Sequence, residues 1–415
     1  MKTVKENGQL AVVAKRQLAK LGTDQKNNIL AVCAKALRDN AEFIVGENAK
    51  DMENAKNNNM PQGLQDRLML NVDRVNAMAE GLELIEKLPD PIGEVLDMRI
   101  LPNGLTVGQK RVPMGVIGII YEARPNVTSD AFGLCLKAGS AVILRGGSDA
   151  IHSNIATVSV FRKAIEGLGY NPDFVQLVED TTRASSTEMM TLNDYIDLLI
   201  PRGGKGLIQS VVKNATVPVI ETGVGNCHIY MDESGKIDDG VNIIVNAKAQ
   251  RVGVCNAAET LLVHKNIAKE YLPKAISALR EKGVEIRGDQ RVAEIVPDVV
   301  PSTEEDWATE YLDYILAVKV VDNLDDAIDH IAKYSTGHSE SIVTENYTNA
   351  QRFLNEVDSA AVYVNASTRF TDGNEFGFGA EIGISTQKLH ARGPMGLKAI
   401  TTTKYIIYGN GQIRQ

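Results

Sequence analysis

The sequence contains few cysteines, and it contains no apolar run that approaches the length of a membrane span. Its first residues, Met1-Lys-Thr-Val-Lys-Glu, lack the apolar core of a signal peptide. The four cysteines are scattered and form no Cys-x-x-Cys pair; they are Cys33, Cys135, Cys227 and Cys255. We therefore expect a cytoplasmic protein in a reducing compartment, without a disulfide framework.

Two further shortages exclude classes of ligand. The six histidines make no ligand-spaced cluster with the cysteines, so the sequence predicts no zinc site. Lys and Arg number 44 against 53 Asp and Glu, which gives a net charge of −9 and argues against a nucleic-acid partner. Small anionic ligands stay open, because their binding depends on local Arg and Lys rather than on net charge.

At 415 residues, the chain is long enough to bury more than one core, so we expect at least two domains. Residues 1 to about 95 have the periodicity of helices, most clearly over 10–21, 29–37 and 68–88. Asn103-Gly104 lies between two extended runs, which is a strong hairpin signal. A hairpin with little core of its own often projects to a partner.

From Val116 onward, short apolar runs alternate with helical patterns. The predicted strands of this block are 116–121, 141–144, 174–178, 195–200 and 217–220. Such alternation predicts a parallel sheet with both faces covered, in which ligands bind at the carboxyl ends of the strands. The polar turns at those ends are 122–126, 145–148 and 201–205.

A second alternating block begins near Cys227. Its predicted strands are 228–231, 260–263, 314–321, 341–343 and 360–365, and they are followed by a glycine-rich loop at 376–383 and an extended segment at 401–408. Residues 220–227 join the two blocks, and we interpret them as an interdomain connection.

Cys255 lies in a glycine-containing turn between an apparent helix and the apolar run 260–263. A cysteine that attacks a carbonyl group needs an exposed loop position, with backbone N–H groups or cations that favour the thiolate. Arg251 precedes it by four residues. The alternative is a buried structural cysteine, and the segment alone does not decide between the two.

Several motifs together resemble the aldehyde dehydrogenase superfamily and, within it, the γ-glutamyl phosphate reductases. The broad resemblance rests on Asn126 after a strand, the turn Arg145-Gly-Gly-Ser148 at the next strand end, and Glu310-Tyr-Leu. The closer resemblance rests on residues 225–230, 255–263, 335–340 and 364–370. Each motif alone is weak, but together they are specific.

The resemblance implies an α/β fold like that of aldehyde dehydrogenases, with two Rossmann-like α/β domains and a small β oligomerisation element. Residues 1–96 and 114–223 would form the NADP-binding domain with its N-terminal helices. Residues 224–398 would form the catalytic domain, and 97–113 with 399–415 would form the oligomerisation hairpin and C-terminal strand. We accordingly expect a homo-oligomer, with functional coupling to glutamate 5-kinase.

The resemblance also implies a reaction. NADPH would reduce L-glutamyl 5-phosphate to L-glutamate 5-semialdehyde with release of phosphate, the second step of proline synthesis from glutamate. Cys255 would form a thioester with the acyl group. The Asn126 amide and the Cys255 backbone N–H would stabilise the tetrahedral oxyanion, although Asn126 could instead brace the turn after Pro125.

The remaining candidate residues fall into two groups. We expect the cofactor to contact Arg145, Ser148, Gly203, Gly204 and Glu310, and the substrate to contact Arg124, Arg251, Ser367, Thr368 and Arg369. The glycines could form an ordinary turn, and the arginines could be solvated surface charges. Ser148 stands where members that prefer NAD often carry Glu, which would repel a 2′-phosphate; Ser148 beside Arg145 therefore favours NADP.

Glu221 stands where hydrolytic aldehyde dehydrogenases keep the general base that activates water. In a reductase, the activated water would hydrolyse the thioester, so the residue could instead serve as a hinge. Three hypotheses follow: the reductase, a hydrolytic aldehyde dehydrogenase favoured by Glu221, and a non-catalytic cofactor-binding or scaffold protein. The presence of both Cys255 and Asn126 argues against the third.

Overall fold

The computed structural model describes residues 2–122 and 124–414. In chain order, the helices are α1 (Val4–Leu18), α2 (Thr23–Asp39), α3 (Ala41–Asn57), α4 (Gln62–Leu68), α5 (Val72–Lys87), α6 (Asn126–Lys137), α7 (Ile151–Gly167), α8 (Arg183–Met190), α9 (Lys205–Asn214), α10 (Ile237–Ala249), α11 (Lys265–Arg280), α12 (Gln290–Ile295), α13 (Leu324–Tyr334) and α14 (Tyr347–Glu356). Short 3₁₀ helices span Ser148–Ala150, Pro172–Phe174, Asp306–Ala308, Thr368–Phe370 and Leu397–Ile400.

The strands are β1 (Val95–Ile100), β2 (Thr106–Pro113), β3 (Val116–Tyr121), β4 (Ala141–Arg145), β5 (Val175–Leu177), β6 (Leu198–Arg202), β7 (Cys227–Met231), β8 (Ala258–His264), β9 (Glu285–Gly288), β10 (Val300–Pro301), β11 (Ile315–Val321), β12 (Ser339–Val343), β13 (Ala361–Val364), β14 (Ile384–Ser385), β15 (Gly393–Pro394) and β16 (Thr401–Tyr408). The two parallel sheets described below confirm the predicted α/β class.

The chain divides into two compact units between Thr222 and Gly223. Unit 1 contains the described residues up to Thr222, together with Gly377–Gly383 and the chain from Met395 onward. Unit 2 contains Gly223–Phe376 and Ile384–Pro394. Unit 2 therefore differs from the predicted segment 224–398, because residues 377–383 and 395–398 group with unit 1.

The N-terminal helices of unit 1 follow from capping and periodicity. Thr3 caps α1 through a capping box with Glu6, and the Asn71 side chain caps α5 by accepting the N–H of Arg74. The continuous helix predicted over 68–88 is in fact shorter, because Leu68 ends α4 and a new cap at Asn71 starts α5.

The central sheet of unit 1 has the strand order β5-β4-β3-β6, with all neighbours parallel. Every residue of β3 and β4 is buried, which agrees with their continuous apolar sequences. The strand predicted at 217–220 is wrong: the segment makes only one isolated bridge, from Val219 to Leu199. Pro218 explains this, because proline has no N–H to donate to a sheet.

A three-stranded antiparallel sheet, β1-β2-β16, also belongs to unit 1. The predicted hairpin is present: Gly104 has a φ of 84°, in the left-handed region that favours glycine, and its N–H donates to the Leu101 carbonyl at 2.8 Å. The C-terminal strand pairs with β2 along its whole length.

Unit 2 is built on a seven-stranded sheet in the order β10-β9-β11-β8-β7-β12-β13, and its paired strands are parallel. β7 and β8 lie next to each other in the middle and are fully buried. Helices α10 and α11 pack on one face of this sheet through Ile244, Tyr271 and Leu272. The carboxyl end of α10 and the start of β8 therefore define the position of the loop that carries Cys255.

Candidate active site

Cys255 lies in the unit 2 loop between α10 and β8 and is half-buried. The other three cysteines are buried, and none of the four is in a disulfide. Burial raises the pKa of the Cys227 thiol well above its ordinary value. Among the cysteines, Cys255 is therefore the one that has both a loop position and access to a substrate, which a nucleophile requires.

Gly225 and Cys227 both contact the backbone carbonyl group of Cys255. A Cβ atom at Gly225 would collide with the carbonyl group of Cys255, so only glycine allows this approach. The Cys227 thiol donates to the Cys255 carbonyl oxygen at 3.2 Å. These contacts fix the loop at the candidate nucleophile.

Two arginines share the surroundings of Cys255. Burial lowers the pKa of Arg369; the charge of Arg251 lowers it further, whereas Cys255 and Asp372 oppose the shift. The Arg369 guanidinium also donates to the side chains of Asn256 and, at 3.0 Å, Gln250. The charge of Arg369 therefore interacts both with Arg251, which is exposed, and with Cys255.

Ser367 and Thr368 connect this arginine to the loop of the nucleophile. Thr368 Oγ1 donates to the Asn256 carbonyl oxygen at 2.8 Å, and the Ser367 hydroxyl accepts the N–H of Arg369 at 3.3 Å. Asn256 Nδ2 in turn donates to the carbonyl oxygens of Arg369 at 3.3 Å and Thr371 at 3.0 Å. The two hydroxyl groups therefore have structural partners, and substrate contacts by them stay a prediction.

Glu310 is also part of unit 2, and its carboxylate faces the same glycine. Glu310 Oε1 accepts the N–H of Gly225 at 2.7 Å. Two residues on, the Leu312 N–H donates to Glu259 Oε1 at 3.2 Å, and Glu259 Oε2 lies 2.5 Å from Lys248 Nζ. The sequence-based prediction missed Lys248 and Glu259. A carboxylate immediately before the predicted strand 260–263 was the signal that could have found them.

In unit 1, Asn126 is the first residue of α6 and is exposed. Its Nδ2 donates to Asp130 Oδ2 at 3.1 Å. Burial raises the pKa of Asp130 to about 6, against the opposing effects of the Asn126 hydrogen bond and the Arg202 charge. Arg124 is exposed in the preceding turn. The predicted turn at 122–126 also includes Ala123, which lies outside the described residues.

Arg145 and Ser148 differ in exposure. The Arg145 side chain is buried, and its Nη2 donates to the carbonyl oxygens of Thr181 at 2.6 Å and Thr182 at 2.7 Å. These bonds tie β4 to the turn before α8. Ser148 is exposed at the start of the Ser148–Ala150 3₁₀ helix. Ser148 is therefore the more accessible side chain for a ribose phosphate, and cofactor contact by Arg145 stays a prediction.

The glycines at the end of β6 lie against a carboxylate that the sequence-based prediction did not include. The Gly204 N–H donates to Glu122 Oε2 at 2.8 Å, and a Cβ atom at Gly203 would lie 2.7 Å from that carboxylate. Gly204 immediately precedes α9, so this N–H lies at the amino end of a helix, a position that favours bound anions. A phosphate bound there would displace the Glu122 carboxylate.

Comparisons with known proteins identify the family. The sequence profile of the aldehyde dehydrogenase family matches residues 1–292 and 287–406. The chain belongs to the aldehyde dehydrogenase family.

Of the described residues, no group of three or more His, Cys, Asp or Glu could hold a metal ion, and no helix is long and apolar enough to cross a membrane.

Within this family, the chain is similar over its whole length to proteins named γ-glutamyl phosphate reductase. The relative from Lachnospira eligens is 59% identical over 415 residues and covers 100% of both chains. The relative from Caldanaerobacter subterraneus is 62% identical over 402 residues and covers 97% of each chain. The crystal structure of the Thermotoga maritima γ-glutamyl phosphate reductase is 52% identical, with a TM-score of 0.97 and full coverage of both chains. The predicted membership of the aldehyde dehydrogenase superfamily is confirmed.

Proposed function

We propose that this chain reduces L-glutamyl 5-phosphate to L-glutamate 5-semialdehyde and phosphate, with NADPH as the hydride donor, and that this is the second step of proline synthesis from glutamate. Full-length relatives named for this activity support the assignment. The observation that carries the chemistry is the half-buried Cys255, held by Gly225 and accompanied by Arg251 and Arg369.

The first half of the reaction is acyl transfer to Cys255. The thiolate attacks the acyl carbon, and phosphate leaves as the thioester forms. We assign to Arg251, four residues before Cys255, and to Arg369, whose charge interacts with that cysteine, the role of favouring the thiolate and the anionic substrate, because both side chains are positively charged. We assign the developing oxyanion to the Cys255 backbone N–H and the Asn126 amide, which are donors of the required type.

The second half is reduction and release. NADPH, when bound, supplies the hydride that converts the thioester to a thiohemiacetal. Collapse of the thiohemiacetal breaks the C–S bond, releases the aldehyde and returns the Cys255 thiolate. Phosphate, rather than water, is the acyl acceptor in the reverse direction, so the site needs no base that activates water.

The turns of unit 1 fit a nicotinamide cofactor. A Cβ atom at Gly203 would lie 2.7 Å from the Glu122 carboxylate, so an added side chain would not fit beside this turn without a shift, and Ser148 is exposed in the other turn. Ser148 offers a neutral hydrogen-bond donor where a carboxylate would repel a 2′-phosphate. We therefore propose NADP(H) as the cofactor, with contacts at Ser148, Gly203, Gly204 and, in unit 2, Glu310. Arg145 stays a candidate.

Glu221 distinguishes the proposal from its main alternative, a hydrolytic aldehyde dehydrogenase. We expect Glu221→Gln to keep phosphate-dependent turnover within about threefold of wild type, because phosphate is already a nucleophile and needs no general base. The measurement is the initial rate of NADP reduction with glutamate semialdehyde and phosphate. A loss comparable to that of a Cys255 variant would instead make Glu221 a catalytic residue.

We also propose that the chain forms a homo-oligomer through the β1-β2-β16 sheet. The observation that supports this is the exposure of large apolar side chains along its outer strands: Ile100 is 77% exposed, Tyr405 67% and Ile407 59%. Sedimentation of wild type and Ile407→Lys tests it, since only wild type should sediment as an oligomer. Functional coupling to glutamate 5-kinase and a cytoplasmic location stay predictions.

One assay separates the candidate functions. Glutamate semialdehyde and NADP are mixed with the protein, with and without phosphate, and NADPH formation is followed. The reductase requires phosphate and produces an acyl phosphate; a hydrolytic dehydrogenase works without phosphate; a scaffold protein shows neither activity. Phosphate-independent NADPH formation would overturn the proposed function.

A further inference from the structure

A buried ion pair connects the helix before the Cys255 loop to the strand after it. Lys248 Nζ in α10 is 2.5 Å from Glu259 Oε2 in β8, and both side chains have an exposure of 0%. Burying two charges removes them from water, and such a pair is weak evidence for a gain in stability. The mechanism proposed above uses neither residue directly, so the pair calls for another explanation.

The second oxygen of Glu259 holds a backbone group of an unusual segment. Glu259 Oε1 accepts the N–H of Leu312 at 3.2 Å. Leu312 has a φ of 54°, in the left-handed region that side chains other than glycine seldom adopt. Its side chain is 39% exposed, so packing of that side chain does not explain the conformation. A buried charged acceptor at its N–H does supply a reason for it.

Residues on either side of Leu312 are fixed as well. Two cations lie over the Tyr311 ring, with Lys248 Nζ 5.9 Å and the Arg287 guanidinium 5.3 Å from the ring centroid. The Tyr311 hydroxyl donates to Asp306 Oδ1 at 2.7 Å. Lys248 thus contacts the segment twice, through Glu259 and through the ring of Tyr311.

The fixed segment begins with Glu310. Its carboxylate accepts the Gly225 N–H at 2.7 Å, and Gly225 in turn packs on the carbonyl group of Cys255. A continuous series of contacts therefore runs from the buried pair, through Leu312 and Glu310, to the nucleophile loop. All of these residues belong to unit 2.

We propose that the buried Lys248–Glu259 pair is a positioning device, which holds residues 310–312 so that the Glu310 carboxylate is set for the nicotinamide ribose of NADPH. This inference rests on the proposed function, because it takes the cofactor role of Glu310 from that proposal. Lys248 and Glu259 are positioning residues: they act through the Leu312 backbone and the Tyr311 ring.

The electrostatics give the device a pH dependence. Burial raises the pKa of Glu259 to about 7, although the charge of Lys248 opposes this shift. Burial also lowers the pKa of Lys248. The other titratable groups that act on the pair are Glu310, Asp313, Cys227 and Tyr311. As the pH falls through 7, Glu259 gains a proton but keeps a neutral oxygen that can accept the Leu312 N–H, so NADPH binding should weaken by no more than about threefold.

Two double variants separate positioning from charge. Lys248→Met/Glu259→Gln removes both charges but keeps an oxygen acceptor for the Leu312 N–H. Lys248→Met/Glu259→Leu removes both charges and the acceptor. We expect the dissociation constant of NADPH to rise about tenfold in the Leu variant, the loss of roughly one hydrogen bond, and to stay within about threefold in the Gln variant. Equal constants in the two variants would overturn the proposal.

Glu310→Ala, combined with each of the two double variants, gives a thermodynamic cycle. If the pair acts through Glu310, the change from Gln to Leu at position 259 has no further effect on NADPH binding once Glu310 is removed. An undiminished effect in that background would show that position 259 acts by another route. Failure of wild type to bind NADPH would instead contradict the proposed cofactor, so the two failures are distinguishable.

A surface variant keeps the proposal testable if the buried variants fail to fold. Valine is β-branched and disfavours the left-handed backbone, so Leu312→Val should displace the segment and raise the NADPH dissociation constant at least about threefold. Asn59→Val is the matched control, because Asn59 has a φ of 53° in a turn of unit 1. Both variants should lose similar stability, as measured by the thermal midpoint. If Leu312→Val binds NADPH as tightly as Asn59→Val does, the pair does not position Glu310.

Discussion

Most candidate residues of unit 2 are buried or half-buried and have hydrogen-bond partners, with Arg251 as the exposed exception, whereas most of those of unit 1 are exposed. Cys255 is held at its carbonyl group by Gly225 and Cys227, and Arg369 is held by Asn256 and Gln250. In unit 1, Arg124, Asn126, Ser148, Gly203 and Gly204 are all exposed. Arg145 is the exception, because its guanidinium is buried against carbonyl oxygens.

This difference agrees with the two tasks that we propose for the units, covalent chemistry at Cys255 and cofactor recognition by the turns of unit 1. Forming and breaking a covalent bond at sulfur requires one geometry, and an error of about 1 Å can cost roughly a hundredfold in rate. Cofactor recognition by exposed turns can change one contact at a time, and each contact shifts affinity or preference. Substitutions in unit 2 should therefore lower the catalytic rate, and those in the unit 1 turns should mainly alter cofactor choice.

Removal of the nucleophile should have the largest effect. We expect Cys255→Ala to lower turnover by at least about 10⁴-fold, as for other covalent catalysts, while NADPH binding survives. The assay is phosphate-dependent NADP reduction with glutamate semialdehyde, with cofactor binding measured separately by fluorescence. Cys33→Ala and Cys135→Ala are buried controls that should stay active. Appreciable turnover by Cys255→Ala would place the nucleophile elsewhere.

Substitution of Gly225, which contacts the Cys255 carbonyl group, should have the next largest effect. Gly225→Ala forces the new methyl group against the Cys255 carbonyl group, so the loop must move, and we expect kcat to fall more than about a hundredfold. Gly46→Ala in α3 is the matched control, because an added Cβ atom there meets nothing within 4 Å. If Gly225→Ala and Gly46→Ala have the same kcat, the geometry of this loop does not limit catalysis.

Asn126 is the strongest test of the difference between the two units, because it is an exposed unit 1 residue with a proposed role in catalysis. We expect Asn126→Ala to lower kcat by about a hundredfold, the effect of losing one oxyanion donor, with little change in the thermal midpoint or in NADPH affinity. A rate within a few-fold of wild type would make Asn126 a turn residue only.

Cofactor preference gives the smallest of these effects. We expect wild type to prefer NADPH, and Ser148→Glu to shift the ratio of kcat/KM values toward NADH by more than about tenfold, because a carboxylate repels the 2′-phosphate. Thr187→Glu adds the same charge at an exposed position of α8 and should leave the ratio unchanged. An unchanged ratio in Ser148→Glu would place ribose recognition elsewhere.

Local signals in the sequence were sufficient for the strands that carry the candidate sites. β3, β4, β7 and β8 each contain a short apolar run, and Cys255 lies in the loop that the sequence predicts. β9 was missed because it is short and charged at its first residue, Glu285. Long-range contacts were also missed. No local pattern shows that Gly225 packs on Cys255, that Arg145 turns inward, or that Lys248 and Glu259 meet in the core.

The thioester at Cys255 is the central claim, and mass spectrometry tests it most directly. The protein is mixed with glutamate semialdehyde and NADP in the absence of phosphate, quenched in acid and digested. We expect one glutamyl acyl group on the peptide that contains Cys255, formed together with NADPH and lost when phosphate is added before the quench. An active protein with no acyl group, or with the group on Cys227, would contradict the account.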